Sequence, residues 1–159
     1  MIRPIALSLA FLASTLAPTL PALADDDGER VAAVSHAATQ TECSACHMAF
    51  APFFLPARSW KAMMGGLEDH FGENAQLDPA TRADIEAYLV ANAGDAGGRP
   101  NGLLRNVADT DVPLRITELP WFKREHDREV SPGMLAKAKS MANCVACHRG
   151  AERGSYEDD

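Results

Sequence analysis

Residues 41–50 read TECSACHMAF, and residues 142–151 read ANCVACHRGA. Each stretch sets two cysteines three positions apart with a histidine directly after the second. Together the two copies use all 4 cysteines of the chain. Four cysteines could form two disulfides, C-x-x-C alone could be a redox dithiol, and a zinc site is a third reading. A histidine behind both pairs fits none of these as well as it fits attachment of c-type haem. The two thiols form thioether links to the porphyrin edge, and the adjacent imidazole is carried beneath the iron as its proximal ligand. On this reading Cys43, Cys46 and His47 hold haem 1, and Cys144, Cys147 and His148 hold haem 2.

The N-terminus says where such chemistry takes place. Arg3 precedes the apolar run PIALSLAFLASTLAPTLP, and Ala22-Leu23-Ala24 stands before Asp25-Asp26-Asp27. A basic start, a short apolar core and small residues before a cleavage point are the parts of a secretory signal peptide. Pro18 and Pro21 break the run, which is shorter than the ~20 apolar residues a spanning helix needs. Cleavage after Ala24 is expected, giving a soluble exported chain, periplasmic in a Gram-negative bacterium.

Size and charge narrow the function classes. Without the signal peptide the chain has room for one compact domain or two very small ones. Halves of that size build thin cores and usually need a disulfide, metal or cofactor. Removing Arg3 from the 15 basic residues leaves 14 against 22 acids, a formal −8. That balance argues against nucleic acid as a partner and favours a basic protein. The acids concentrate in the first half, where residues 25–100 hold 12 acids and 5 bases against 10 and 9 in residues 101–159. The first half is therefore the better candidate for a docking face.

Local signals place the motifs on helices and loops. Residues 31–43 read as a short helix leading into the first motif. In ARSWKAMMGGLEDHFG, residues 57–72, the side chains Trp60, Met63, Met64, Leu67 and Phe71 recur at helical spacing. Gly65-Gly66 weakens that helix and Gly72 ends it. Asp78-Pro79 is an N-cap followed by proline at the first helical position. The helix it opens carries Ile85, Tyr88 and Leu89 on one face and stops at residues 92–94. GDAGGRPNG, residues 94–102, is the most linker-like segment. Beyond it the chain reads as mostly irregular, with Pro113 and Pro120. Ser131-Pro132 then caps a helix entering Cys144, with Met134, Leu135, Ala138 and Met141 facing inward. The expected organisation is a mainly α chain with a signal peptide at 1–24, one haem-binding unit at 25–97 and a second at 98–159.

The sixth iron ligand separates electron carriers from haem sites that bind small molecules. Three histidines lie outside the motifs: His36, His70 and His126. His70 sits on the Trp60/Met63 face as a candidate for haem 1, and His126, in WFKREHDREV, is the candidate for haem 2. His36 is read as a surface histidine. Methionine is the rival, with Met63 or Met64 near haem 1 and Met134 or Met141 near haem 2. Methionines at helical spacing more often fill cores, and Met48, beside His47, is poorly aimed at the opposite haem face.

The stretch ECSACHMAFAPFFLPARSWKAMMGGLEDHFGENAQLDPATRADIEAYL resembles the first half of the bacterial periplasmic dihaem cytochrome c family. PWFKREH and ANCVACH resemble its second half, with Leu55–Asp78 the most specific block. The resemblance implies a class I cytochrome c-like N-terminal unit and a small, irregular C-terminal unit with one helix entering the haem motif. It implies bis-histidine ligation at both haems, His47 with His70 and His148 with His126, and thus low potentials. It further implies electron transfer from a membrane b-type cytochrome to a small monohaem oxygen-binding cytochrome c. A monomer with no catalytic residues is expected. The competing class is a haem enzyme or gas-binding sensor with one open iron, for which the sequence supplies no distal Arg/His pair.

Overall fold

The computed structural model describes residues 30–157. The expected signal peptide at 1–24, the acids Asp25–Asp27 and the last two aspartates lie outside the described residues. Five α-helices are joined by loops and 3₁₀ turns: α1 Ala37–Cys43, α2 Ala57–Gly65, α3 Pro79–Ala91, α4 Pro120–His126 and α5 Pro132–Ala138. Among the described residues there is no strand, only two isolated bridges. The chain is mainly helical, as the sequence predicts.

Helix α1 is shorter than its sequence reading: it begins only at Ala37, after an extended His36, and Val31 N–H donates to the Gly154 carbonyl (2.9 Å). His36 stands before α1 and ties it to α3. One ring nitrogen meets Thr39 Oγ1 (3.0 Å), the other meets Asp84 (3.2 Å), and the ring stacks on Tyr88 at 4.8 Å. It is half-buried and structural rather than a free surface histidine.

Helix α2 ends earlier than the apolar spacing predicts. It stops at Gly65 with Gly66 as its C-cap, and Leu67–Asp69 forms a separate 3₁₀ turn. The glycine pair carries the physical reason, because each glycine interior to a helix costs about 1 kcal/mol against alanine. Trp60, Met64 and Leu67 are buried as expected, whereas Phe71 is exposed. The start of α2 is held from beyond α3: Ala57 N–H donates to Asp95 Oδ1 (2.7 Å), placing a carboxylate on a helix N-terminus.

Helix α3 follows its signals closely. Asp78 accepts from the backbone of Ala80 and Thr81, both at 3.1 Å, with proline at the first helical position. Ile85 and Leu89 are essentially fully buried and pack α3 on α2. Each such side chain contributes about 1.5–3 kcal/mol of burial.

The second half joins the same core. Leu104, Leu119 and Phe122 cluster with Leu55, Trp60, Ile85 and Leu89. Asn101 caps the turn at Leu103 and Leu104 and donates its side-chain amide to the Phe53 carbonyl (2.8 Å). Pro120 opens α4 rather than marking irregular chain, a role suited to proline at a first helical position. Ser131 caps α5 as expected, but α5 stops at Ala138 and does not enter the second motif. Lys139 turns left-handed (φ 67°), its N–H bonds back to Leu135, and Asn143 donates to the Ala138 carbonyl (3.0 Å). Cys144 opens a separate 3₁₀ turn. Met134 and Leu135 are exposed rather than inward, while Ala138 is buried and Met141 packs on the core.

Candidate haem-binding sites

Cys43 is the last residue of α1, and the turn after it presents Cys46 and His47. His47 Nδ1–H donates to the Met48 carbonyl (2.7 Å), which leaves Nε2 as a lone-pair nitrogen. Opposite it stands His70, carried by a tight turn instead of a helix. His70 N–H donates to the Glu73 carbonyl (2.7 Å), Glu73 N–H returns to His70 (3.3 Å), and Asp69 Oδ1 accepts from Gly72 N–H (2.9 Å). Both central residues of this turn have positive φ, Phe71 at 57° and Gly72 at 100°. Glycine adopts that conformation freely; phenylalanine does so at a cost of order 1–3 kcal/mol. The guanidinium of Arg115, from the second half, lies 3.8 Å over the Phe71 ring and helps hold it there.

The His47 and His70 rings have centroids 6.1 Å apart and planes 25° from parallel. A metal–imidazole bond is about 2 Å long, so two imidazoles across one metal stand about 6 Å apart, centroid to centroid. The pair is spaced for one ion between them. Burial, reinforced by His47 and the Arg115 charge, holds the His70 pKa below its ordinary value, so the ring is neutral and its lone pair available. Its buried Nδ1 has no hydrogen-bond partner.

The second pair is built from α4 and the second motif. His126 ends α4; its Nδ1–H donates to the Phe122 carbonyl (2.9 Å) and its ring stacks on the Phe122 ring at 3.9 Å. His148 N–H is bonded to the Cys144 carbonyl (2.8 Å), and Nδ1 lies 3.3 Å from the Glu157 carbonyl. The two rings are 6.2 Å apart, again the spacing for one metal ion, but their planes cross at 82°.

Around this pair opens a cleft of about 1340 Å³. Its volume exceeds the roughly 300–1,000 Å³ of common small-ligand pockets, as a large flat cofactor requires. Phe54, Trp121 and Tyr156 give it aromatic walls, while Arg105, Arg124 and Lys137 add cations beside the acids Glu125 and Glu129, Arg124 pairing with Glu125 at 3.0 Å. The Tyr156 hydroxyl is buried without a partner, and burial pushes its pKa up. Apolar walls, a buried hydroxyl donor and cations suit a porphyrin with two carboxylates. Phe50 lines this cleft and also packs on His47 at 5.1 Å, so it stands between the two sites.

No two of the four cysteines are joined in a disulfide. Burial raises the Cys43 pKa, aided by Glu42, and pushes Cys144 up to about 11. Among the described residues no group of three or more His, Cys, Asp or Glu side chains converges as a zinc site would require.

A family model for dihaem cytochrome c matches residues 39–156, nearly all of the described chain. The chain belongs to the dihaem cytochrome c family. It is similar to the solved structure of the diheme cytochrome c from Rhodobacter sphaeroides, with 60% identity over 79% of this chain and 99% of that one (TM-score 0.75). A second Rhodobacter sphaeroides structure is 58% identical over 77% and 98% of the two chains (TM-score 0.68). The diheme cytochrome from Shewanella baltica OS155 is 38% identical over 76% and 86% (TM-score 0.62). No curated protein gives a significant match. As a dihaem cytochrome c the chain carries two covalently attached haem c groups, with its four cysteines in C-x-x-C positions. Among the described residues no helix is long and apolar enough to cross a membrane.

The structure brings together every histidine that the sequence singles out for ligation: His47 meets His70, and His126 meets His148. Phe50, Arg115, Phe122 and Tyr156 carry no signal as site residues in the sequence. Their roles depend on which loops meet.

Proposed function

We propose that this dihaem cytochrome is a low-potential periplasmic electron-transfer protein with both irons bis-histidine ligated, His47 with His70 and His126 with His148. The observation that carries the proposal is the pair of imidazole separations, 6.1 and 6.2 Å. When bound, each haem supplies a one-electron iron couple. The residues of the chain then do four things. The motif cysteines anchor the porphyrin edges. Backbone carbonyls at Met48, Phe122 and Glu157 orient His47, His126 and His148, and raise the basicity of those ligands. With His47 and His70 holding one iron and His126 and His148 the other, each iron would be closed to small molecules and its potential would be low. Phe50, which touches His47 and lines the second cleft, would stand between the two groups. One unit at 25–97 holds haem 1, and a second at 98–159 holds haem 2.

The acidic balance of the chain supports brief docking with a basic partner. A membrane b-type cytochrome as donor and a small monohaem cytochrome c as acceptor suit that role, with the chain acting as an exported monomer. The test is substitution of His70→Ala and His126→Ala in the holoprotein, each followed by reduction and addition of carbon monoxide. Each variant is expected to take up one carbon monoxide per chain, whereas the unmutated protein and His36→Ala take up none. A variant that binds none would remove that histidine from the ligand set.

A further inference from the structure

The two histidine pairs share a separation but differ in orientation, near parallel at 25° for His47/His70 and crossed at 82° for His126/His148. We infer that Phe122 is a positioning residue that fixes the ring plane of His126, and through it the crossed ligand planes of haem 2. The inference rests on the ligand assignment proposed above.

Phe122 and His126 stand four residues apart on α4, where side chains share a helix face. Phe122 supplies two constraints on the one ring. Its carbonyl accepts from His126 Nδ1–H at 2.9 Å, and its aromatic face lies 3.9 Å away and within 7° of parallel. Turning the imidazole about its attachment to Cβ breaks both at once. Phe122 itself is not free to follow, being 7% exposed within the core and met edge-on by Trp121 at 6.2 Å. The opposite ring is set independently: His148 has the Glu157 carbonyl at 3.3 Å and the Tyr156 ring at 5.9 Å and 62°. Among the described residues the first pair has no comparable flat neighbour. Phe50 is tilted 33° from His47, and Phe71 is tilted 57° from His70.

Ring orientation matters because an imidazole donates π density to only one of the two iron d orbitals that can accept it. Parallel rings raise the same orbital and split the pair. Crossed rings raise both and leave them nearly degenerate. Haem 1 and haem 2 are therefore electronically unlike although their ligand atoms are the same, and Phe122 is the side chain that separates them.

The experiment is low-temperature electron paramagnetic resonance of the oxidised holoprotein and of Phe122→Leu, Phe122→Met and Phe122→Tyr. Leucine and methionine keep an apolar contact but remove the flat face; tyrosine keeps it. The unmutated protein is expected to give two low-spin signals of equal weight, one ordinary rhombic and one highly anisotropic. In Phe122→Leu or Phe122→Met the anisotropic signal shifts or spreads toward the rhombic one while the other stays in place, and Phe122→Tyr restores it. Two rhombic signals in the unmutated protein would overturn the crossed arrangement. Unchanged signals in either apolar variant would overturn the role of Phe122. A high-spin signal in the unmutated protein would instead sink the ligand assignment, a separate failure.

Discussion

Replacing Gly94 with alanine tests whether the two halves are joined as tightly as their contacts indicate. Alanine for glycine at a compatible site normally stabilises by about 0.4–1 kcal/mol, through the unfolded chain. At Gly94 the contacts reverse that sign. An added Cβ would lie 2.5 Å from the Phe53 carbonyl oxygen, 2.7 Å from Asn101 Nδ2 and 2.9 Å from Leu104 Cδ1. Two of these atoms form the bond that ties Asn101 to Phe53, and Gly94 itself bonds Leu55 (2.9 Å) and Asn101 (2.8 Å) through its backbone. Overpacking costs roughly 1–3 kcal/mol and a displaced hydrogen bond about 1 more, so the net loss should be about 2–3 kcal/mol. Gly97→Ala, three residues on, meets nothing within 4 Å and serves as the control. The assay is guanidinium unfolding of the holoproteins followed by far-ultraviolet circular dichroism. The reasoning fails if Gly94→Ala is as stable as Gly97→Ala.

Further outcomes follow from the same contacts. Arg58 donates to the Ala108 and Asp111 carbonyls and pairs with Asp95 at 3.5 Å, with both side chains mostly covered. Arg58→Ala should cost about 2 kcal/mol in the same unfolding assay, and Arg58→Lys should recover only part, since lysine lacks the guanidinium fork. Arg115 places a positive charge beside the His70 turn; Arg115→Ala should move one of the two midpoint potentials to more negative values in a redox titration, while Arg115→Lys moves it less. The chain with all four motif cysteines changed to alanine should be largely unfolded, because haem supplies burial that the one small core shared by the two halves lacks. A native-like circular dichroism spectrum from that apo chain would contradict this.

Much of the site is legible in the sequence because its chemistry is local. The C-x-x-C-H spacing marks two thioether anchors and one candidate iron ligand per haem, and Asp78-Pro79 and Ser131-Pro132 open the helices they signal. Ile85 and Leu89 are buried as their spacing predicts. Position was harder than identity. His70 is a candidate from the apolar face of a helix, yet it sits in a turn that the Gly65-Gly66 break makes necessary. Pro120 marks irregular chain by composition, but it supplies the first turn of α4 and so places His126. The extent of α5 depends on a left-handed Lys139 for which the local sequence carries no glycine signal. The stack of Phe122 on His126 and the reach of Arg115 to Phe71 come from packing, which spacing alone does not encode.

The proposed function requires each iron to be closed on both sides by histidine. An absorption spectrum of the unmutated holoprotein, oxidised and then dithionite-reduced, with and without carbon monoxide, tests it most directly. The spectrum should show sharp low-spin bands, no far-red methionine charge-transfer feature, and no shift on adding carbon monoxide. A high-spin signature or a carbon monoxide adduct would show an open iron and contradict it.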